Sequence, residues 1–162
     1  MTRRVSFGVV PLLLALAMLS GSGLAASQDR GDGQRIRDQL IGAWRLVWLE
    51  EPAADGKVHK ADCTGMLVFT RDGRMSVQVM YRNPQTGAPS GPVQYAQGGY
   101  EASFGRYALD EGAHQFTYRV EGALVRSLVG RELPRLFELS GKQLIVKSPN
   151  PDEHWRVAWE HY

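Results

Sequence analysis

Apolar residues along most of this chain recur at every second position, the period of a strand with one face buried. Eight such runs follow one another: Trp44–Glu50, Gly65–Thr70, Met75–Tyr81, Tyr100–Leu109, Gln115–Gly122, Gly130–Leu139, Gln143–Lys147 and His154–Tyr162. Helical spacing is confined to Gln34–Ile41, where Ile36, Leu40 and Ile41 share a face and Gly42 supplies the stop. A short amphipathic helix there would plug one mouth of a barrel.

The stretch Leu40–Leu46 enters the first strand through Gly42 and Trp44, and the later strands need this one as a partner. Trp44, Leu46 and Trp48 alternate, yet Val47 and Leu49 are apolar too, so both faces of this strand are expected to be covered. Asp72-Gly73 between two β-rich runs predicts a hairpin with a two-residue turn. Arg82–Gly99 carries three prolines and four glycines and reads as an exposed loop over a barrel mouth.

Glu51–Lys57 makes another long connection, with a turn signal at Asp55-Gly56, but most links, such as Asp110-Glu111-Gly112 and Ser140-Gly141-Lys142, are short, which fits antiparallel up-and-down order. Helical period is scarce after Gly42, so crossover helices and a parallel sheet are not expected. No unit of about 20 to 50 residues repeats, which argues against a solenoid or propeller. An open sandwich would expose sheet edges that closure removes. The predicted fold is therefore all-β, an eight-stranded antiparallel barrel preceded by a short helix.

Composition changes the picture mainly at the N-terminus. Arg3 and Arg4 precede an apolar run from Val9 to Leu19 and then the small residues Ser20–Ala25, the layout of a secretory signal peptide spanning residues 1–25. That run is short of the roughly 20 residues a membrane span needs, so no stable span is expected after processing. Residues 26–33 read as a flexible leader and 34–162 as the domain. Processing takes 19 basic residues to 17, equal to the 17 acidic ones. A neutral chain without a basic run lacks the footprint of a nucleic-acid binder. The expected location is periplasmic or secreted. Cys63 is the only cysteine, so no intramolecular disulfide can form. With Asp62 beside it, a thiolate is disfavoured, and it reads as a half-buried loop cysteine.

Several segments together resemble the bacterial and fungal lipocalin-like domain family: Leu40-Ile41-Gly42-Ala43-Trp44, Phe69–Gln78, Phe104-Gly105-Arg106-Tyr107, Val120-Glu121-Gly122, Arg135–Leu139 and Trp159-Glu160. The Thr70–Gln78 hairpin and Phe104-Gly105-Arg106-Tyr107 are the most specific pieces. The resemblance covers nearly all of Leu40–Tyr162 and implies a lipocalin-like barrel, largely without an assigned ligand. Two positions depart from it: Tyr118 stands where relatives often carry histidine, and His161 where arginine is common. The resemblance also implies a tryptophan closing one end of the barrel under a late-strand cation, here Trp44 under Arg156.

For a ligand site the chief candidate is Arg135, a cation among Leu133, Phe137 and Leu139 on one strand face. Buried, it would require a carboxylate. Glu121 and Arg106 lie on adjacent predicted strands, and Tyr107, Tyr118 and Gln78 could add hydrogen bonds, with Phe137 in the apolar wall. Such a cluster either orients a ligand carboxylate or hydroxyl at the base of an apolar cavity, or pins strand register as an ion-pair network. Glu121 with Glu138 or Glu160 could form an acid/base pair, although nothing in the spacing demands it. Nucleophile elbows, phosphate loops and His-Glu-x-x-His are absent, so no cofactor is expected. The histidines His59, His114, His154 and His161 are scattered, so no metal site is expected either.

Three functions fit these features. The leading expectation is an exported protein holding a small apolar or amphipathic molecule in its barrel. The others are an enzyme (isomerase, cyclase or hydrolase) using the arginine, acid and tyrosine cluster, and an interaction module presenting the 82–99 loop. Oligomeric state is not legible.

Overall fold

The computed structural model describes residues 35–52, 55–83 and 99–162. The expected signal segment 1–25, the expected leader 26–33 and most of the expected 82–99 loop lie outside the described residues. Residues 35–40 form a single short helix. Nine strands follow: β1 (Gly42–Pro52), β2 (Val58–Lys60), β3 (Cys63–Phe69), β4 (Arg74–Tyr81), β5 (Tyr100–Asp110), β6 (Gln115–Ala123), β7 (Glu132–Ser140), β8 (Gln143–Lys147) and β9 (Arg156–His161). Each of β3 to β8 pairs antiparallel with the next, and β1 pairs with both β3 and β9, so eight strands close into a barrel. The ninth, β2, extends β1 past the barrel rim, with Glu51 opposite His59.

Several boundaries differ from the sequence expectation, each for a local reason. A bulge at Val47 interrupts the pairing of β1 with β9 between Leu46 and Trp48. The extra residue resets the alternation, so Trp44 and Leu46 face in, Trp48 faces out, and Leu49 and Glu51 face in again. This explains why both faces of β1 looked apolar. Strand β7 begins at Glu132 because a 3-10 turn (Arg126–Leu128) and Gly130, at φ +85°, occupy the preceding segment. The hairpin between β3 and β4 has a three-residue loop, Arg71–Gly73, instead of a two-residue turn. Thr70 N–H donates to the Arg74 carbonyl at 2.8 Å and Gly73 N–H to the Thr70 carbonyl at 3.2 Å, with Gly73 left-handed at φ +81°.

One end of the barrel is filled. Phe69 stands edge-on to Tyr107 (5.0 Å) and Phe116 (5.5 Å), and Phe116 lies 6.2 Å from Phe137. Leu40, at the end of the helix, is fully buried with Trp44 and Leu144. Trp44 donates its indole N–H to the Leu40 carbonyl at 2.9 Å, fixing the helix end to β1. Each fully buried large side chain contributes about 1.5 to 3 kcal/mol. The expected stacking of Arg156 on Trp44 is replaced by another arrangement: Trp44 meets the ring of His161 at 4.8 Å, edge-on. Arg156 sits outside, paired with Glu50 at 2.7 Å and 5.6 Å from the ring of Trp48. The bulge at Val47 is what puts the Trp44–His161 pair on the inner face and the Glu50–Arg156 pair on the outer face of the same two strands.

Candidate functional site

Above the aromatic plug the barrel encloses a cavity of about 80 Å³. Its walls are mostly apolar, formed by inward residues such as Leu49, Leu67, Val77, Val79, Val146 and Val157, with Phe116 and Trp159 also lining it. Glu101, Tyr118 and Arg135 join this lining from β5, β6 and β7. Trp155, ahead of β9, completes the upper wall, and the Arg135 guanidinium carbon lies 5.2 Å from its ring. One Arg135 nitrogen also donates to the Pro134 carbonyl at 2.8 Å.

The polar groups here are unevenly satisfied. The Tyr118 hydroxyl, the Ser103 hydroxyl and the Trp159 indole nitrogen are buried without a hydrogen-bond partner among the described residues. A buried unsatisfied donor costs about 1 to 3 kcal/mol, and such groups are what a ligand with matching polar atoms would engage. Burial lifts the Glu101 carboxyl to about 7, with the Arg135 guanidinium pulling it part of the way back. Burial likewise pushes the Tyr118 phenol up to about 12, against the pull of the neighbouring Ser103 hydroxyl. An acid that changes charge near neutrality thus shares a mostly apolar cavity with a permanent cation and a buried phenol.

Of the residues singled out from sequence, the cavity brings together Arg135 and Tyr118. Tyr107 and Phe137 face inward but belong to the plug, with Tyr107 donating its hydroxyl to the Thr70 carbonyl at 3.0 Å. Arg106, Glu121 and Gln78 point outward. Adjacent residues of a strand cannot share a face, so an inward Tyr107 turns Arg106 to solvent. Glu121 is the extra residue where the pairing of β5 with β6 shifts, and outside the barrel it bonds Arg106 at 2.8 Å and Arg74 at 3.1 Å. The polar cluster expected around Arg106 and Glu121 is therefore an exposed ion-pair network. Glu138 and Glu160 are outside as well, paired with Lys147 and Arg45, so no acid/base pair with Glu121 forms in the cavity.

Among the described residues the inward acids are instead Glu101 and Glu51, neither of which the sequence reading singled out. Strict alternation with Ser103 and Tyr107 on β5 was the signal for Glu101. At the rim, Tyr81 hydroxyl lies 2.6 Å from both oxygens of the buried Glu51 carboxylate, and His59 stands 3.8 Å away. Burial raises the Glu51 carboxyl, opposed by the Tyr81 hydrogen bond and the His59 charge. Beside it, burial together with the Glu51 and Asp62 carboxylates lifts the Cys63 thiol to about 11, which makes it a poor nucleophile. Among the described residues no three His, Cys, Asp or Glu side chains group as a metal ion would require, and no helix is long and apolar enough to cross a membrane.

Comparison with known proteins adds a family. A family model described as a lipocalin-like domain matches residues 41–160. No curated protein matches the chain. Among solved structures, a lipocalin-like protein from Bacteroides uniformis ATCC 8492 is similar at 18% identity and TM-score 0.47, covering 76% of this chain and 99% of that one. An uncharacterized protein from Bacteroides eggerthii DSM 20697 is similar at 17% identity and TM-score 0.45, covering 76% and 99%. A redesigned β-barrel is similar at 12% identity and TM-score 0.44, covering 79% and 96%.

Proposed function

This chain belongs to the lipocalin-like domain family, and from that premise we propose that it is an exported protein that binds one small apolar or amphipathic molecule inside its barrel. The observation that carries this reading is the apolar cavity of about 80 Å³ with Arg135, Glu101 and Tyr118 converging on it. A mostly apolar pocket with a few convergent polar groups is the usual form of a small-ligand site. The volume is about half that of a 150 Å³ cavity that admits benzene, so the buried part of the ligand is a short chain or a small ring. Export rests on the layout of residues 1–25, and periplasmic or secreted protein should begin at Ala26.

Native mass spectrometry of protein purified from its own host tests both parts. The expected result is a mature chain starting at Ala26 with a bound small molecule released on denaturation. A chain starting at Met1 rejects export. Protein that is empty in every preparation and takes up no small apolar compound rejects binding.

The juxtaposition of Glu101 and Arg135 also favours a second reading, acid/base turnover of the bound molecule. Conversion of the released compound by wild-type protein, lost in Glu101→Gln, would select the enzyme over the carrier.

A further inference from the structure

Resting on the binding reading above, we propose that the ligand is a small amphipathic monoanion, a short-chain carboxylic acid in chemical class, whose carboxylate joins Arg135 while Glu101 takes up one proton. The Arg135 guanidinium, poised over Trp155, is the cation that lines this cavity among the described residues. Among the described residues, two carboxyl groups feel its charge: Glu101 from β5 and Glu153 from the β8–β9 connection. Glu153 is committed, since Trp155 donates its indole N–H to it at 3.0 Å and Asn150 approaches at 3.5 Å. Hydrogen bonds of this kind hold the Glu153 carboxyl down against its partial burial, and it stays an anion.

Glu101 has no such support. Among the described residues, the groups coupled to it electrostatically are Arg135 on β7, Tyr118 on β6 and Tyr81 on β4, and of these Arg135 carries the charge at neutral pH. A ligand carboxylate seated on Arg135 offsets the charge that favours ionised Glu101, and it adds a like charge in the same mostly apolar space. The carboxyl that yields is Glu101, which gains a proton and becomes a donor. Tyr118, which lines the same cavity, offers its buried hydroxyl to the second ligand oxygen. Below, Leu49, Val77 and Val157 receive the hydrocarbon end. A neutral ligand would bind without proton uptake, and a cation would be opposed by Arg135.

Calorimetric titration of the full-length protein with hexanoate and, separately, with 1-hexanol between pH 6 and pH 9 tests this. Hexanoate affinity should be level up to about pH 7 and fall about tenfold for each pH unit above it, with close to one proton taken up per hexanoate at pH 8. Hexanol affinity should not change with pH. Glu101→Gln, which copies the protonated carboxyl, should bind hexanoate at pH 8 as the wild type does at pH 6. Arg135→Met should lose hexanoate at least tenfold and keep hexanol. Equal binding of both probes at every pH, binding of hexanol alone, or a hexanoate pH profile that survives Glu101→Gln overturns this inference and leaves the cavity a binding site. Failure of both probes to bind overturns the binding reading with it.

Discussion

His161 stands edge-on to Trp44 with ring centroids 4.8 Å apart, its Nε2 lying 3.2 Å from the Ile41 carbonyl, so the last strand locks the start of the first. Gly42 belongs to the same lock. Its φ of +135° suits glycine, and a Cβ there would collide with the His161 ring. Trp44→Ala should cost about 3 to 5 kcal/mol, the range for emptying a buried aromatic site. Gly42→Ala should cost about 1 to 3 kcal/mol through backbone strain and displacement of His161. His161→Ala should cost about 1 kcal/mol. Urea unfolding midpoints rank the three, and an unchanged Gly42→Ala midpoint would contradict the lock.

Glu101 also sets a pH dependence of stability. Its folded carboxyl titrates near 7, above the ordinary 4.5, so between those values the folded protein binds more protons than the unfolded chain. Its stabilising contribution is thus complete below about pH 4.5 and lost as pH rises to about 7. Screening at a half-buried site limits the loss to about 1 to 3 kcal/mol. Glu101→Gln should unfold at higher urea than wild type at pH 8, with the gap closing at pH 5. An equal gap at both pH values would place the titration elsewhere.

At the rim, Tyr81→Phe removes the hydroxyl that serves both oxygens of Glu51. The carboxyl, already raised by burial, should rise further. A hydrogen bond to a charged group is worth about 1.5 to 3 kcal/mol, and that loss should appear at pH 8, where Glu51 must ionise, and shrink toward pH 5. Unfolding curves at the two pH values decide it.

Within the cavity, Tyr118→Phe deletes a buried hydroxyl without a well-formed hydrogen bond among the described residues, so stability should hold or rise by about 1 kcal/mol. Affinity for whichever small molecule co-purifies should fall by about 0.5 to 1.5 kcal/mol if that hydroxyl meets it. Arg135→Met should weaken the same affinity by about 1.5 to 3 kcal/mol while the fold persists. Glu121→Gln, altering an ion pair outside the barrel, should leave affinity alone and shift stability by less than about 1 kcal/mol. Loss of affinity in Glu121→Gln would return that residue to the site.

The sequence by itself determined the class of fold. Period-two patterning is imposed residue by residue by the pleat, so strands, their order and an inward Arg135 are written locally, and Asp72-Gly73 marks its hairpin wherever the rest of the chain goes. Only the tertiary structure decided which polar residues meet. A bulge adds one residue to one strand and flips all that follows, and nothing local announces the bulges at Val47 and Glu121. For that reason Trp48 and Arg156 stack outside while Glu50 pairs with Arg156, and Trp44 finds His161 in place of Arg156. Closure likewise set how high the aromatic plug rises, leaving Tyr107 and Phe137 in packing and Glu101 beside Arg135 in the cavity. Those meetings join strands far apart in sequence, and their geometry follows from barrel register, a property of the whole sheet.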